Sequence, residues 1–286
     1  MTDMYSTLIS AEQLLQLRAG GQRHMVFDCS FDLADPGAGA RAHAEAHLPG
    51  AVYLNLDADL SAPKTGRNGR HPLPERAAFA QRMAALGMDD DMLAVVYDRN
   101  ASMYAGRPWW MLRWAGHAAV RVLDGGLQAW QAAGGAVESG PVAPRPAGHF
   151  TLRPPLVEMV DYAQLRASLG RGRRLVVDAR AADRFRGENE TLDPIAGHIP
   201  GAANRCFRDN LAADGRFKPA EQLRAEWTAL MGGRAPSDLV QQCGSGVSAC
   251  NNLLALESAG FGGALLYPGS WSEWCAQPGA PVARGA

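Results

Sequence analysis

The sequence lacks any apolar run approaching the ~18 residues of a membrane-spanning helix. It also has almost no net charge, −1 in formal terms with a pI near 6.7, so no overall field steers it onto nucleic acid or anionic lipid. Cysteine is scarce. The five present, Cys29, Cys206, Cys243, Cys250 and Cys275, are odd in number and show no C-x-x-C spacing. That pattern argues against a disulfide framework or a structural zinc site and suits reduced thiols. Charged residues make up 20% and hydrophobic ones 47%, values that predict neither disorder nor a fibre. The start, Met1-Thr2-Asp3-Met4-Tyr5, carries an acid where a signal peptide carries positive charge. These absences predict a cytoplasmic protein with no nucleic-acid and no membrane partner.

What is present is a duplication. A chain of 286 residues has room for two cores. The strand-like run Met25-Val26-Phe27-Asp28 is followed by His47-Leu48-Pro49-Gly50-Ala51. Leu175-Val176-Val177-Asp178 is followed, at nearly the same spacing, by His198-Ile199-Pro200-Gly201-Ala202. Each half then has a second β-rich run, Leu93 to Tyr97 and Leu239 to Gln242, leading into a loop and a helix-like stretch. Each closes alike, on Asp124-Gly125-Gly126-Leu127-Gln128-Ala129-Trp130 and on Pro268-Gly269-Ser270-Trp271-Ser272-Glu273-Trp274. Short strands alternating with amphipathic helices such as Glu75 to Leu86 and Ala220 to Leu230 predict α/β domains, each a small parallel sheet flanked by helices. The Gly- and Pro-rich stretch between them sets the expected boundaries: a first domain over 1–131, a linker over 132–148 and a second domain over 149–286. Asp59 to Pro74 is the other long irregular stretch, a place where function concentrates.

Cys243 stands at the expected C-terminal end of a strand, where parallel sheets bind ligands. Gly244 and Gly246 let the following loop curl its amides toward the sulfur as an anion nest, and the helix after it adds a positive dipole end. Such surroundings favour the reactive thiolate over an inert packed thiol. Three other readings of these residues are poorer. A phosphatase loop, C-x5-R, needs arginine where Ala249 stands. Gly244-x-Gly246-x-x-Ala249 lies late in the chain, and the next strand-like run offers no acid for a ribose. The elbow G-x-S-x-G is not formed by Gly244-Ser245-Gly246. In the first half the position matching Cys243 is Asp98, which cannot carry sulfur, so only the second copy can be catalytic by this route.

Together these residues resemble the rhodanese superfamily in its tandem form, over essentially the whole chain. The His-x-Pro-Gly-Ala motifs look like its early signature, and Leu266 to Trp274 like its late one. The loop Cys243-Gly244-Ser245-Gly246-Val247-Ser248 is similar to the C-G-S-G-V-T of the mercaptopyruvate branch, departing at Ser248, and not to the C-R-K-G-V-T of the thiosulfate branch. The resemblance implies two tandem rhodanese-like domains and double displacement. Cys243 takes sulfur from a small-molecule donor, holds it as a persulfide on the amides of Gly244, Gly246, Val247 and Ser248, and passes it to a thiol or cyanide acceptor, a thioredoxin-like protein among the thiols. No metal and no organic cofactor are implied. Ser245 is expected to work with His71 and Asp57, which match the family's relay positions in the first domain. Arg186, in Arg184-Phe185-Arg186-Gly187, is expected to hold the donor anion. The second arginine of the family's E-P-R motif is missing from Glu188 to Pro194, with Arg205 a candidate to compensate. 3-Mercaptopyruvate is the favoured donor; thiosulfate:cyanide transfer, or a persulfide carrier or sensor acting on a protein partner, are the alternatives. Trp109 and Trp110 are expected in a core, Ser10 to Gln13 in a capping box, His47 and His198 in turns, and Cys250 is weighed as a redox partner.

Overall fold

Strands of this chain form wherever a short run of β-branched and apolar residues can be buried on both faces, as parallel sheets require. The computed structural model describes residues 7–286, so the acidic start weighed above lies outside the described residues. Nine strands are described: β1 Leu8–Ile9, β2 His24–Asp28, β3 Val52–Tyr53, β4 Leu93–Tyr97, β5 Val120–Leu123, β6 Leu175–Asp178, β7 Ala203–Asn204, β8 Leu239–Gln242 and β9 Leu265–Leu266. The helices are α1 Ala11–Ala19, α2 Ala38–Glu45, α3 Arg76–Ala85, α4 Gly106–Trp114, α5 Gly126–Ala132, α6 Tyr162–Ser168, α7 Ala182–Arg186, α8 Ala220–Met231, α9 Ala249–Ser258 and α10 Ser270–Trp274.

The strands make two sheets, ordered β1-β5-β4-β2-β3 and β7-β6-β8-β9, with every pair parallel. The duplication is visible in the order, since β2, β3, β4 and β5 repeat as β6, β7, β8 and β9. Even β1 has a trace in the second sheet, a single parallel bridge between Met159 and Leu266. In the first sheet Asp28 pairs with Tyr97, and in the second Asp178 pairs with Gln242. The loops after β4 and β8 therefore leave from equivalent carboxyl edges.

The chain divides into two units. One comprises 1–61, 74–156 and 213–216; the other comprises 62–73, 157–212 and 217–286. The core of the first gathers Ile9, Leu14, Val26, Val95, Leu123, Leu127 and Trp130. That of the second gathers Val160, Leu165, Val176, Ile199, Val240, Leu265, Trp271 and Trp274. Trp109 and Trp110 are buried in the first unit, as their motif predicts. The capping box forms as well: Ser10 Oγ accepts from the Gln13 N–H, and Gln13 Oε1 accepts from the Ser10 N–H. His47 Nδ1 bonds the His43 carbonyl, while His198 bonds the Phe185 carbonyl and stacks on that ring, so both are turn and packing residues. Among the described residues no helix is long and apolar enough to cross a membrane.

Candidate active site

Strand β8 ends at Gln242, and Cys243 is the first residue beyond it. Its backbone is clamped from one side by the turn into α10. The Cys243 N–H donates to Ser270 Oγ at 3.1 Å, that hydroxyl donates to the Tyr267 carbonyl at 2.9 Å, and the Trp271 N–H donates to the Cys243 carbonyl at 3.0 Å. Ser272 N–H then takes the Gly244 carbonyl at 2.9 Å. Ser270 makes this turn with φ +55°, a left-handed value that costs a non-glycine residue on the order of 1 kcal/mol. The late signature thus has a physical reading: Pro268 to Ser272 exists to fix the nucleophile's backbone. Ser270 was missed as a site residue because its role is to hold Cys243, and only its motif membership could have signalled it.

The loop itself curls as its glycines predict. Gly246 has φ +74°, and a Cβ there would lie 2.2 Å from the Pro268 carbonyl, so only glycine fits. The Ser245 N–H reaches Cys243 Sγ at 3.4 Å, and Ser245 Oγ is hydrogen-bonded to His71 Nδ1 at 2.8 Å. Cys243, Ser245, Val247, Ser248 and His71 are all buried, Cys243 with 2% of its surface exposed. His71 reaches this site because residues 62–73 fold with the second unit. The segment is fastened there: the Arg70 N–H donates to Ser272 Oγ at 2.9 Å and Gln277 Nε2 donates to the Arg67 carbonyl at 2.8 Å. Asp57 belongs to the first unit, where its N–H donates to Asn55 Oδ1 at 2.9 Å.

The arginines are arranged differently from the expectation. Arg186 spends both prongs of its guanidinium on Glu188, each at 2.7 Å, with 38% of its side chain accessible. Residues two apart on a helix face nearly opposite ways. Arg184, on the other side of α7, is the one turned toward the loop: a Cβ at Gly244 would lie 3.7 Å from its Nη1 and from its Nη2. Its guanidinium is held by Glu190 at 2.8 Å and by Asp193 at 3.4 Å. Arg205 is occupied elsewhere, donating to Asn210 Oδ1 at 3.0 Å and Glu226 at 2.7 Å while lying 4.6 Å from the Trp227 ring centre. It braces α8 and is spoken for as a structural cation. Cys250 is likewise a packing residue, its buried thiol directed at the Gly246 carbonyl at 3.4 Å.

A model of the rhodanese-like domain matches residues 10–133 and again 161–277. The chain belongs to the rhodanese family. A protein of Pseudomonas aeruginosa named "Probable 3-mercaptopyruvate sulfurtransferase" is 48% identical over 99% of this chain and 100% of its own. The thiosulfate sulfurtransferase of Bos taurus is 34% identical over 95% and 92%. Among solved structures, 3-mercaptopyruvate sulfurtransferase from Leishmania major superposes with a TM-score of 0.86 at 29% identity, covering 98% of this chain and 77% of that one.

The first rhodanese copy shows what the loop is built to hold. Asp98, the counterpart of Cys243, is buried, and its carboxylate accepts four backbone N–H groups. Asn100 and Ser102 donate to Oδ1 at 2.8 and 2.9 Å, Tyr104 and Ala105 to Oδ2 at 2.7 and 2.8 Å. Burial pushes that carboxyl above its ordinary range, and the four N–H groups oppose the shift. An aspartate oxygen is two bonds beyond Cβ. So is the outer sulfur of a cysteine persulfide, and it is anionic too.

Proposed function

We propose that this rhodanese-family sulfurtransferase draws sulfur from a small anionic donor, 3-mercaptopyruvate in preference to thiosulfate, and carries it as a Cys243 persulfide to a thiol or cyanide. The observation that carries this reading is the buried run of contacts from Cys243 Sγ through Ser245 to His71 Nδ1. A loop of the C-G-S-G type puts a hydroxyl and an imidazole beside the sulfur, where a C-R-K-G loop would put two cations. Proton traffic, not charge neutralisation, is what the site is equipped for.

In the first half-reaction the Cys243 thiolate attacks the donor sulfur. An S–S bond forms as the donor C–S bond breaks, and the released electron pair resides on the pyruvate enolate. The donor's S–H proton ends on that carbon, relayed by Ser245 and His71; Asp57 joins the relay on its motif position. The persulfide anion is held by the amides of 244–248 as the Asp98 carboxylate is held in the first copy. In the second half-reaction an acceptor thiolate or cyanide takes the outer sulfur and Cys243 leaves as thiolate. Arg184 takes the donor-binding role expected of Arg186. A thioredoxin-like protein fits the acceptor class, and five free thiols suit the reducing cytoplasm; with a net charge of −1 the chain is suited to neither nucleic acid nor membrane partners.

Initial rates with the two donors side by side test the assignment. 3-Mercaptopyruvate should give the higher kcat/KM, and Ser245→Ala should lower its kcat by about 100-fold while changing thiosulfate turnover far less. Faster transfer from thiosulfate, or an unchanged Ser245→Ala, would contradict it.

A further inference from the structure

Gly244, the residue after the nucleophile, is crowded by two guanidinium groups. A Cβ there would lie 2.8 Å from Arg70 Nη2, nearer than the 3.7 Å to Arg184. Arg70 comes from the irregular segment that also brings His71, and it is held in three ways. Nη1 donates to Asp193 Oδ1 at 2.7 Å, the backbone N–H donates to Ser272 Oγ, and the preceding Gly69, at φ +86°, lies so close to Gly269 that a Cβ would come within 2.9 Å of its carbonyl. Asp193 also accepts from Arg184 Nη2, so a single buried carboxylate spaces the two cations.

This arrangement uses only one prong of Arg70. Nε is buried and meets no acceptor among the described residues, and Nη2, on the same edge of the planar group, is directed at the space above Gly244. Nε–H and Nη2–H side by side are the pair of donors that a carboxylate accepts with both oxygens. A buried arginine N–H without a partner is costly, which makes the empty edge a feature to explain. Nearby charges balance, Arg70, Arg180 and Arg184 against Asp178, Glu190 and Asp193. Such a cluster recognises an anion by directed N–H groups more than by net field, and so suits a monoanionic carboxylate better than a dianion.

We propose that Arg70 is the second cation of the donor site, binding the carboxylate of an α-keto acid thiol through its Nε/Nη2 edge and standing in for the arginine missing from Glu188 to Pro194. The assignment rests on the donor reading above. It makes Arg70 a specificity residue next to the nucleophile and Asp193 the residue that positions it.

The test compares the parent with Arg70→Ala, Arg70→Lys and Gly244→Ala, the last displacing Nη2 with a methyl group. Two readouts are needed: steady-state kinetics with 3-mercaptopyruvate, and persulfide loading of Cys243 by a neutral donor, diallyl trisulfide, followed by mass. Arg70→Ala should raise the KM for 3-mercaptopyruvate by about 10- to 100-fold while loading from the neutral donor stays at the parent rate. Arg70→Lys, which keeps the charge but loses the edge, should lie nearer to Arg70→Ala than to the parent, and Gly244→Ala should raise the same KM. An unchanged KM in Arg70→Ala would overturn the proposal with the donor reading intact. Equal loss with both donors would make Arg70 structural and overturn it too. A parent that draws no sulfur from 3-mercaptopyruvate would remove the donor reading and this proposal together.

Discussion

A thiol reacts only as its thiolate, so the five cysteines differ in chemistry according to what surrounds each sulfur. Burial pushes the Cys275 thiol up to about 11, raises Cys206, and raises Cys29 well above the ordinary range with the neighbouring Asp28 carboxylate adding to the effect. A raised value means the protonated thiol persists until the pH approaches it, so none of the three is nucleophilic near neutrality. Cys250 is fully buried under α9. Iodoacetamide at pH 7.5 should therefore alkylate Cys243 first, with Cys275 gaining reactivity only as the pH nears 11. Peptide mapping that found Cys29 or Cys275 labelled ahead of Cys243 would contradict this. At this scale the sequence was a good guide to Cys243, Ser245 and His71, because a loop motif records identity. It was a poor guide to the arginines: Arg184 and Arg186 are equally visible in the sequence, and only the phase of α7 tells which one turns toward Gly244. Arg70 carried no motif, since its position comes from where an irregular segment is fastened.

Elements position these groups, and the loop after β8 is the one on which everything else hangs. Its shape depends on Gly246 at φ +74° with the Pro268 carbonyl where a side chain would go. Gly246→Ala should force the loop off Pro268, cost about 1–3 kcal/mol of stability and abolish sulfur transfer. Thermal unfolding and initial rates check both, and a fully active variant would mean that the curl is not needed. The strands and this loop were legible because buried parallel strands are written as apolar runs ended by glycine: β4, β6 and β8 lie where the residue pattern puts them. The helix after the loop begins two residues later than expected, at Ala249 instead of Val247, since the loop residues are spent on amides facing the sulfur.

For the whole molecule, the duplication turns one site into an internal comparison. The first copy keeps the nest but fills it with its own Asp98 carboxylate, which makes it a permanent cap on four backbone donors and a structural element. Asp98→Asn presents one acceptor oxygen and an amide that is itself a donor, leaving some of the four N–H groups unsatisfied at about 1–3 kcal/mol each. Urea unfolding should shift to a lower midpoint while the folded fraction still accepts sulfur at Cys243. Unchanged stability would mean that the carboxylate is not holding the loop. The tandem architecture was readable from repeated motifs, but the placement of 62–73 with the second unit was not, because contacts between segments distant in the chain leave no local pattern.

The most direct test is mass spectrometry of the intact protein after exposure to 3-mercaptopyruvate without an acceptor. The account predicts a gain of one sulfur atom, located on Cys243, lost on adding cyanide and absent from Cys243→Ala. A Cys243→Ala protein that gains sulfur as the parent does would contradict it.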